Sequence, residues 1–198
     1  MKKFLLILPI LMTACNPFTS VERDLIGTDP GAGKMRLWTV GNPQDSMLLR
    51  RTAILLARGE MNSNYFDVLI ARMLATVQDP TNPGVGIAAP QVGVSKQLVC
   101  VQRFDKENEP FEFYINPRIE SYSEETAIGS EGCLSVPGKR GGVKRSTRIV
   151  VTHTDRETFS ERSDTVEGFT AVIFQHEIDH LAGRLYTDLA DVVEDDAD

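Results

Sequence analysis

Cysteine is scarce in this sequence, with 3 residues among 198. Cys15, Cys100 and Cys133 are an odd number at wide, unrelated spacings, which excludes a disulfide framework. Basic residues are outnumbered as well, because 21 Lys and Arg stand against 28 Asp and Glu and leave a formal charge of −7. That charge argues against non-specific binding to nucleic acid, so we expect no nucleic-acid partner.

Phosphate-binding glycine motifs are also missing. Gly84-Val85-Gly86 is followed by no Gly-Lys-Ser/Thr sequence, and it completes no G-x-G-x-x-G pattern. Residues 81–93 read TNPGVGIAAPQVG, a stretch of small residues and two prolines. Small side chains let a backbone approach another group closely, but most such loops are only turns.

The apolar run near the N-terminus is short and covers residues 4–12, after Lys2 and Lys3. It is too short to span a bilayer, and it has the layout of a secretory signal peptide. Because Ala14 precedes Cys15, it resembles a bacterial lipoprotein signal. We therefore predict a signal peptide over residues 1–14 and lipidation of Cys15. The protein would then be exported and anchored to the membrane, whereas an unused signal would leave it in the cytoplasm.

Composition divides the remaining chain into three parts. Residues 15–34 are polar and contain several glycines and prolines, which predicts a flexible tether. Residues 35–190 are long enough for one domain with a sizeable core. The acidic segment 191–198 is expected to be a solvated tail.

The pattern of apolar residues predicts an α+β fold. An amphipathic helix near the N-terminus is indicated by apolar residues at helical spacing, namely Phe66, Leu69, Ile70, Met73, Leu74 and Val77. Residues 97–104, 111–115, 148–154 and 157–166 are strand candidates, joined in pairs by short polar turns. Tight connections favour antiparallel pairing. We expect antiparallel β-sheets packed around a C-terminal helix.

That C-terminal helix carries the sequence H-E-x-x-H from His176 to His180. Two histidines four residues apart lie on one face of a helix, so both imidazoles can face one metal ion. Glu177 can then reach a water on that ion and act as a general base. The spacing therefore predicts a catalytic metal site.

Two ligands do not complete such a site, which usually has three protein ligands and an open position. In the pattern H-E-x-x-H-x-x-G-x-x-H the third ligand stands where this chain has Tyr186. Cys133 is a candidate because it lies in a turn-like stretch, although a buried free thiol is the alternative interpretation. Asp188 or Glu194 would be the third ligand if the protein were a zinc endoprotease.

Three blocks of sequence stand in order: GVGIAAPQ over 84–91, EGCLS over 131–135 and QHEIDH over 175–180. Together they resemble the three signature motifs of the peptide deformylases, and the resemblance covers residues 38–189. It implies metal-dependent hydrolysis of the N-formyl group from the N-terminal formylmethionine of peptides or proteins, with release of formate. Residues 35–190 would then be a deformylase domain.

The resemblance also implies which residues carry the chemistry. The metal ligands would be Cys133, His176 and His180, with water in the fourth position and Glu177 as the general base. A divalent metal lowers the pKa of bound water toward ~7, which makes hydroxide available at neutral pH. A thiolate and two imidazoles suit iron, zinc, cobalt or nickel. The resemblance implies Fe(II) as the usual metal.

Further residues are assigned to the oxyanion and to the peptide. The side chain of Gln91 and the backbone N–H of Leu134 would stabilise the oxyanion. The residues expected to contact the formylmethionyl peptide are Val85, Gly86, Val172, Ile173 and Arg140. Glu131 and Asp179 are either residues that orient the metal ligands or solvated surface charges.

Location and function leave alternatives open. The deformylase family acts on nascent chains in the cytoplasm, whereas an exported enzyme would act on formyl peptides released outside it. A zinc endoprotease is one alternative class. A non-catalytic lipoprotein that binds peptide N-termini around a structural metal is another, but a structural zinc site needs a fourth protein ligand and none is evident.

Overall fold

The computed structural model of the chain describes residues 18–196. The predictions for residues 1–14 and for Cys15 lie outside the described residues. The helices are α1 (Ser20–Ile26), α2 (Pro43–Leu49), α3 (Arg58–Met61), α4 (Asn64–Val77) and α5 (Gly168–Leu181). The strands are β1 (Gly86–Ala88), β2 (Leu98–Gln102), β3 (Phe111–Tyr122), β4 (Thr126–Cys133), β5 (Val136–Ser146), β6 (Arg148–Thr154), β7 (Glu161–Glu167) and β8 (Val193–Asp195). Short 3-10 turns cover Ala89–Val92 and Tyr186–Asp188.

The strands form two antiparallel sheets. The larger sheet has five strands in the order β1-β2-β3-β6-β7, and the smaller has three in the order β4-β5-β8. Helix α5 near the C-terminal end packs against strands of both sheets. This is the α+β architecture, with antiparallel sheets and a C-terminal helix, that the sequence predicts.

Strand β2 shows why the larger sheet carries a helix on each face. Successive side chains of a strand point to opposite faces. Leu98 and Cys100 pack in the same core as the apolar side chains of α4. Val99 and Val101 pack with the apolar side chains of α5. All four are fully buried, so the strand is apolar without alternation and holds both helices.

Helix α5 ends where a glycine is required. Gly183 has φ +71°, and a Cβ placed on it would lie 2.5 Å from the carbonyl oxygen of Arg50. Any larger residue would be strained there and would clash with the backbone. The helix is held along its length by Ile173 and Phe174, which are buried against the larger sheet. The position of the H-E-x-x-H segment is therefore fixed by the apolar core.

Residues 18–34 differ from the predicted tether because much of the segment packs on the domain. Helix α1 starts with a capping box, in which the carboxylate of Glu22 accepts from the N–H of Thr19 at 2.9 Å. Phe18 and Ile26 are 1% and 0% exposed and join the core around α4. From α4, Arg72 donates to the carbonyl oxygen of Ile26 at 2.7 Å. The glycines of this segment and Pro30 lie in the turns and connections that follow α1.

The C-terminal residues, for which a solvated tail is predicted, include a short strand that pairs with the smaller sheet. Strand β8 pairs through its backbone with residues 139–141 of β5. Lys139 of β5 forms an ion pair with Asp195 at 2.5 Å. The side chains of β8 are exposed, so backbone pairing rather than burial holds the strand. Between residues 18 and 196, none of the helices has the length and apolar character needed to cross a membrane.

Candidate metal centre

Three predicted ligands converge at the end of α5. Cys133 is the last residue of β4, and His176 and His180 lie one turn apart on α5. Their ligand atoms all lie within 4.8 Å of one another. The Sγ of Cys133 is 3.3 Å from the Nε2 of His180. A thiolate and two imidazoles at these distances fit a divalent metal of the iron, zinc, cobalt or nickel type.

The alternative third ligands point elsewhere. Asp188 is engaged by Arg50 and accepts from the N–H of Leu185 at 2.9 Å. Glu194 lies on the exposed strand β8, opposite Arg140 of β5. Within residues 18–196, neither carboxylate joins the cluster of ligand atoms. The geometry thus favours the cysteine over an acidic third ligand.

Gln91 lies beside the cysteine in a fixed orientation. It is 1% exposed, and its Oε1 accepts from the N–H of Ala88 at 2.8 Å. Its Nε2 is thereby turned toward the Sγ of Cys133 at 3.6 Å and the Oγ of Ser135 at 3.3 Å. The N–H of Ser135 also points at that sulfur, at 3.4 Å. Leu134, half-buried, lies in the turn between these two residues.

Two backbone hydrogen bonds from the N-terminal part of the domain hold the segments that carry Gln91 and Ser135. The N–H of Trp38 donates to the carbonyl oxygen of Gln91 at 2.8 Å, and the N–H of Val40 donates to that of Ser135 at 2.9 Å. The sequence gives no local signal for these contacts. Ser135 lies within the EGCLS block, and this is the sequence feature that connects it with Cys133 and Gln91.

Glu177 is buried beside β1. It is 4% exposed, and its Oε2 has no hydrogen-bond partner among the described residues. A Cβ placed on Gly86 would lie 2.5 Å from its Oε1 and 2.8 Å from a methyl group of Ile173. Burial raises the pKa of Glu177 to about 7, against the opposing effect of His176. A cation held by the neighbouring ligands would lower that pKa.

The remaining residues expected to contact the peptide spread outward from Glu177. Val85, immediately before β1, is 37% exposed, and Val172 is half-buried on α5. Ile173 is buried against Gly86. Arg140 lies on the exposed part of β5 and donates to the Oγ of Ser130 at 3.1 Å. The structure does not bring Arg140 into contact with the three ligands.

A buried ionic network lies behind His176. The Nδ1–H of His176 donates to the Oε2 of Glu131 at 2.8 Å. Arg145 donates two hydrogen bonds to the same carboxylate, from Nε to Oε1 at 2.8 Å and from Nη2 to Oε2 at 3.0 Å. Burial alone would raise the pKa of Glu131, but hydrogen bonds from His176 and Arg145 prevail and lower it to about 2. Glu131 is therefore a buried carboxylate and not a solvated surface charge.

Asp179 belongs to the same network but does not touch a histidine through its carboxylate. Its Oδ2 accepts from the Nη1 of Arg145 at 2.6 Å, and its Oδ1 pairs with Arg184 at 2.6 Å. Arg145 carries no sequence signal of this role, because its partners lie 14 and 34 residues away along the chain. Local sequence patterns therefore do not identify Arg145 as part of the site.

The protein has a helix that presents H-E-x-x-H, and a cysteine from the β4-β5 hairpin lies beside the two histidines. This arrangement is typical of metal-dependent hydrolases. Comparison with known proteins narrows the class. The family model described as polypeptide deformylase matches residues 36–195. The peptide deformylase of Leptospira biflexa serovar Patoc (strain Patoc 1 / Ames) is 38% identical over 161 residues, which cover 77% of this chain and 86% of the relative. That of Xylella fastidiosa (strain M12) is 40% identical over 140 residues, covering 71% and 79%.

Solved structures agree with the sequence comparison. The class I type b peptide deformylase of Acinetobacter baumannii with Met-Ala-Ser bound superimposes with a TM-score of 0.70 at 34% identity, covering 79% of this chain and 98% of that one. The peptide deformylase of Synechococcus elongatus in complex with actinonin gives 0.68 at 31%, covering 83% of each. The chain belongs to the polypeptide deformylase family. It is an enzyme that hydrolyses the N-formyl group of formylmethionyl peptides.

Proposed function

We propose that Cys133, His176 and His180 hold the divalent metal that the deformylation requires. The observation that carries this proposal is the convergence of their three ligand atoms within 4.8 Å. The Nδ1 of His176 is occupied by Glu131, which leaves the opposite ring nitrogen for the metal. When bound, the cation supplies Lewis acidity toward water and toward the formyl carbonyl.

Glu177 is proposed as the general base. Its carboxylate is buried against Gly86, and one oxygen has no partner among the described residues. A buried carboxylate without a partner is costly unless it binds a proton or water. We infer that Glu177 takes the proton of the attacking water and passes it to the amine of methionine as that amine leaves.

The oxyanion is proposed to form between Gln91 and the N–H of Leu134. The amide of Gln91 is held by Ala88 on its oxygen side, so its NH₂ group is oriented before substrate arrives. Such preorganised donors commonly contribute ~3 kcal/mol each to the transition state. The Leu134 amide adjoins Cys133 in the turn, so we infer that it would face the same reacting carbon.

The peptide is proposed to lie along β1, with its methionine side chain toward α5. Gly86 has no room for a side chain because Glu177 and Ile173 lie against it. That tight wall would admit the formyl group, the smallest acyl group, and exclude larger ones. Val85, Val172 and Ile173 would line the methionine pocket. Arg140 would meet the C-terminal side of the peptide from β5.

The native metal is proposed to be Fe(II), with zinc, nickel and cobalt able to replace it. The ligand set suits all four metals, so the support for iron is the family resemblance. Metal analysis after anaerobic purification, together with activity of the chain loaded with each metal, tests this assignment. Zinc as the bound and most active metal would contradict it.

We also propose that the enzyme is exported and anchored through lipidated Cys15, after cleavage of residues 1–14. Two residues, Asn16 and Pro17, would then separate the anchor from Phe18, which is buried in the core. The substrates would be formyl peptides outside the cytoplasm. Labelled fatty acid is expected in the wild type and not in Cys15→Ala; equal labelling of both would contradict the proposal and favour a cytoplasmic enzyme.

The catalytic assignment is tested by formate release from a short formyl-methionyl peptide. Residues 16–198, purified anaerobically with ferrous iron, are compared with Glu177→Ala and with Glu124→Ala, which replaces an exposed glutamate. We expect release by the wild type and Glu124→Ala, and retention of metal without release by Glu177→Ala. Release by Glu177→Ala at the wild-type rate would contradict the role of the carboxylate.

A further inference from the structure

We propose that Arg145 is a positioning residue that sets the metal site by fixing the cysteine-bearing strand relative to the histidine-bearing helix. The proposal rests on the proposed ligand set. Arg145 lies on β5 and bonds to carboxylates on both elements that carry the three ligands, but it forms no hydrogen bond with the ligand side chains described here. It would act on the metal through Glu131 and Asp179.

The contacts on the strand side are bidentate. Glu131 precedes Cys133 by two residues on β4, and both its oxygens accept from Arg145 at 2.8 and 3.0 Å. The planar fork of a guanidinium matches a carboxylate in this way, and lysine cannot reproduce it. The Oε2 that receives Nη2 also receives the Nδ1–H of His176 at 2.8 Å. Arg145 therefore fixes the angle at which Glu131 holds the imidazole.

The contact on the helix side is made by the remaining nitrogen. The Nη1 of Arg145 donates to Asp179 at 2.6 Å, next to His180 on α5. Asp179 is 5% exposed, and Arg145 is 7% exposed. One cation thus spans the gap between the strand of the thiolate and the helix of the imidazoles. In a site of low dielectric such bonds hold their geometry closely.

The same burial makes Arg145 necessary for charge balance. Glu131 and Asp179 are two buried carboxylates that share this guanidinium, and of the two, Asp179 also forms an ion pair with Arg184. Without Arg145, Glu131 would retain His176 as its sole hydrogen-bonding side chain among residues 18–196. We expect the His176 imidazole to shift with Glu131, because the buried carboxylate would lose both hydrogen bonds from the guanidinium and the charge that compensates it.

A second buried arginine provides a matched control. Arg103 is 3% exposed, bonds to Asp105 at 2.8 and 2.7 Å, and lies 5.8 Å from the ring of Phe174 on α5. It resembles Arg145 in burial and ion pairing and packs on the same helix. It contacts neither the ligands nor Glu131. Arg103→Gln therefore reports the loss of a buried ionic network without a change at the metal.

The experiment compares Arg145→Gln, Arg145→Lys and Arg103→Gln in the full chain. Zinc affinity is measured by competition with a chelator, and thermal unfolding is measured for the metal-free and zinc-loaded forms. The visible absorption of the cobalt-loaded protein reports ligand geometry. We expect zinc affinity to fall ~10–100-fold in Arg145→Gln, with a changed cobalt spectrum, as for other residues that orient a ligand. Arg103→Gln is expected to lose stability in both forms and to keep wild-type affinity and spectrum.

Arg145→Lys keeps the proposal testable if Arg145→Gln fails to fold. It retains the charge and loses the fork, so we expect a loss of affinity smaller than that of Arg145→Gln, with a changed cobalt spectrum. Wild-type zinc affinity and spectrum in either variant would overturn the positioning role, even if stability fell. Failure of the wild type to bind metal would instead contradict the proposed ligand set.

Discussion

The two sheets make different contributions to this enzyme. The five-stranded sheet is a scaffold, with β2 fully buried between α4 and α5. The three-stranded sheet is thin and largely exposed, as Ile128 shows with 76% of its surface accessible. Yet the exposed sheet supplies Cys133, and the helix on the buried sheet supplies both histidines. The proposed metal centre therefore lies between a helix packed on one sheet and a strand of the other, and we expect metal affinity and the stability of the fold to depend on different residues.

The two described cysteines give the sharpest form of this comparison. Cys133→Ala removes a proposed ligand from the exposed sheet, and we expect zinc affinity to fall by more than the ~10–100-fold typical of losing a residue that only orients a ligand. Cys100→Ala, in the fully buried strand β2, should lower the free energy of unfolding by ~1 kcal/mol and leave the metal in place. Metal analysis and denaturant unfolding of both variants check this. Metal retention by Cys133→Ala would break the comparison.

Two buried glutamines, Gln91 and Gln175, allow the same comparison between catalysis and stability. Gln91→Ala removes the proposed oxyanion donor, and we expect kcat to fall ~10²–10³-fold. Because the buried N–H of Ala88 also loses its acceptor, the free energy of unfolding should fall by ~1–3 kcal/mol. Gln175 instead bonds to the backbone of Ser146, accepting at 3.1 Å and donating at 2.9 Å. Gln175→Ala should lower the free energy of unfolding by ~1–3 kcal/mol and change kcat only a few-fold. A larger fall in kcat for Gln175→Ala than for Gln91→Ala would reverse the assignment.

Two glycines test the fit around the general base. A methyl group on Gly86 would displace Glu177, so Gly86→Ala is expected to lower kcat/KM by up to ~100-fold. Gly129 on the exposed sheet has open space where a Cβ would lie, and Gly129→Ala should leave kcat/KM unchanged. Steady-state kinetics on a formyl-methionyl peptide measure both. Equal kinetics for the two variants would mean that the wall at Gly86 is not tight.

The smallest effect on activity is expected from the N-terminal segment. Phe18→Ala removes a ring that is 1% exposed, and we expect the free energy of unfolding to fall by ~3 kcal/mol while kcat of the folded enzyme stays the same. Phe169→Ala, at a ring 56% exposed, should lower it by less than ~1 kcal/mol. Denaturant unfolding checks both values. Equal stability of the two variants would restore residues 18–34 to the role of a loose tether.

The sequence predicts the helical half of the site well because its signals are local. His176, Glu177 and His180 lie within one and a half turns of a helix, and their spacing alone places them together. The fold class follows from β2 and its neighbours, whose apolar runs and short turns indicate antiparallel strands. Strand β6 has the predicted bounds, residues 148–154, and β2 falls inside its prediction.

The seam between the two sheets could not be predicted from local patterns. Strands β4 and β5 contain glycine and charged residues throughout, so they lack the apolar alternation that marks a strand. Helix α1 is short and followed by turn-forming residues, and Phe18 reveals its anchoring only through tertiary contact. The role of Arg145 cannot be predicted from local patterns either, because its partners are distant in sequence. What the sequence misses is the set of contacts that join separate elements.

The most direct test of a metal centre built across this seam is X-ray absorption spectroscopy of the zinc-loaded enzyme. We predict one sulfur ligand at ~2.3 Å and two imidazole nitrogens at ~2.0–2.1 Å, with a further light-atom ligand. The sulfur signal should disappear in Cys133→Ala and persist in Cys100→Ala. A first coordination sphere of nitrogen and oxygen alone in the wild type would contradict the account, because the exposed sheet would then contribute no ligand.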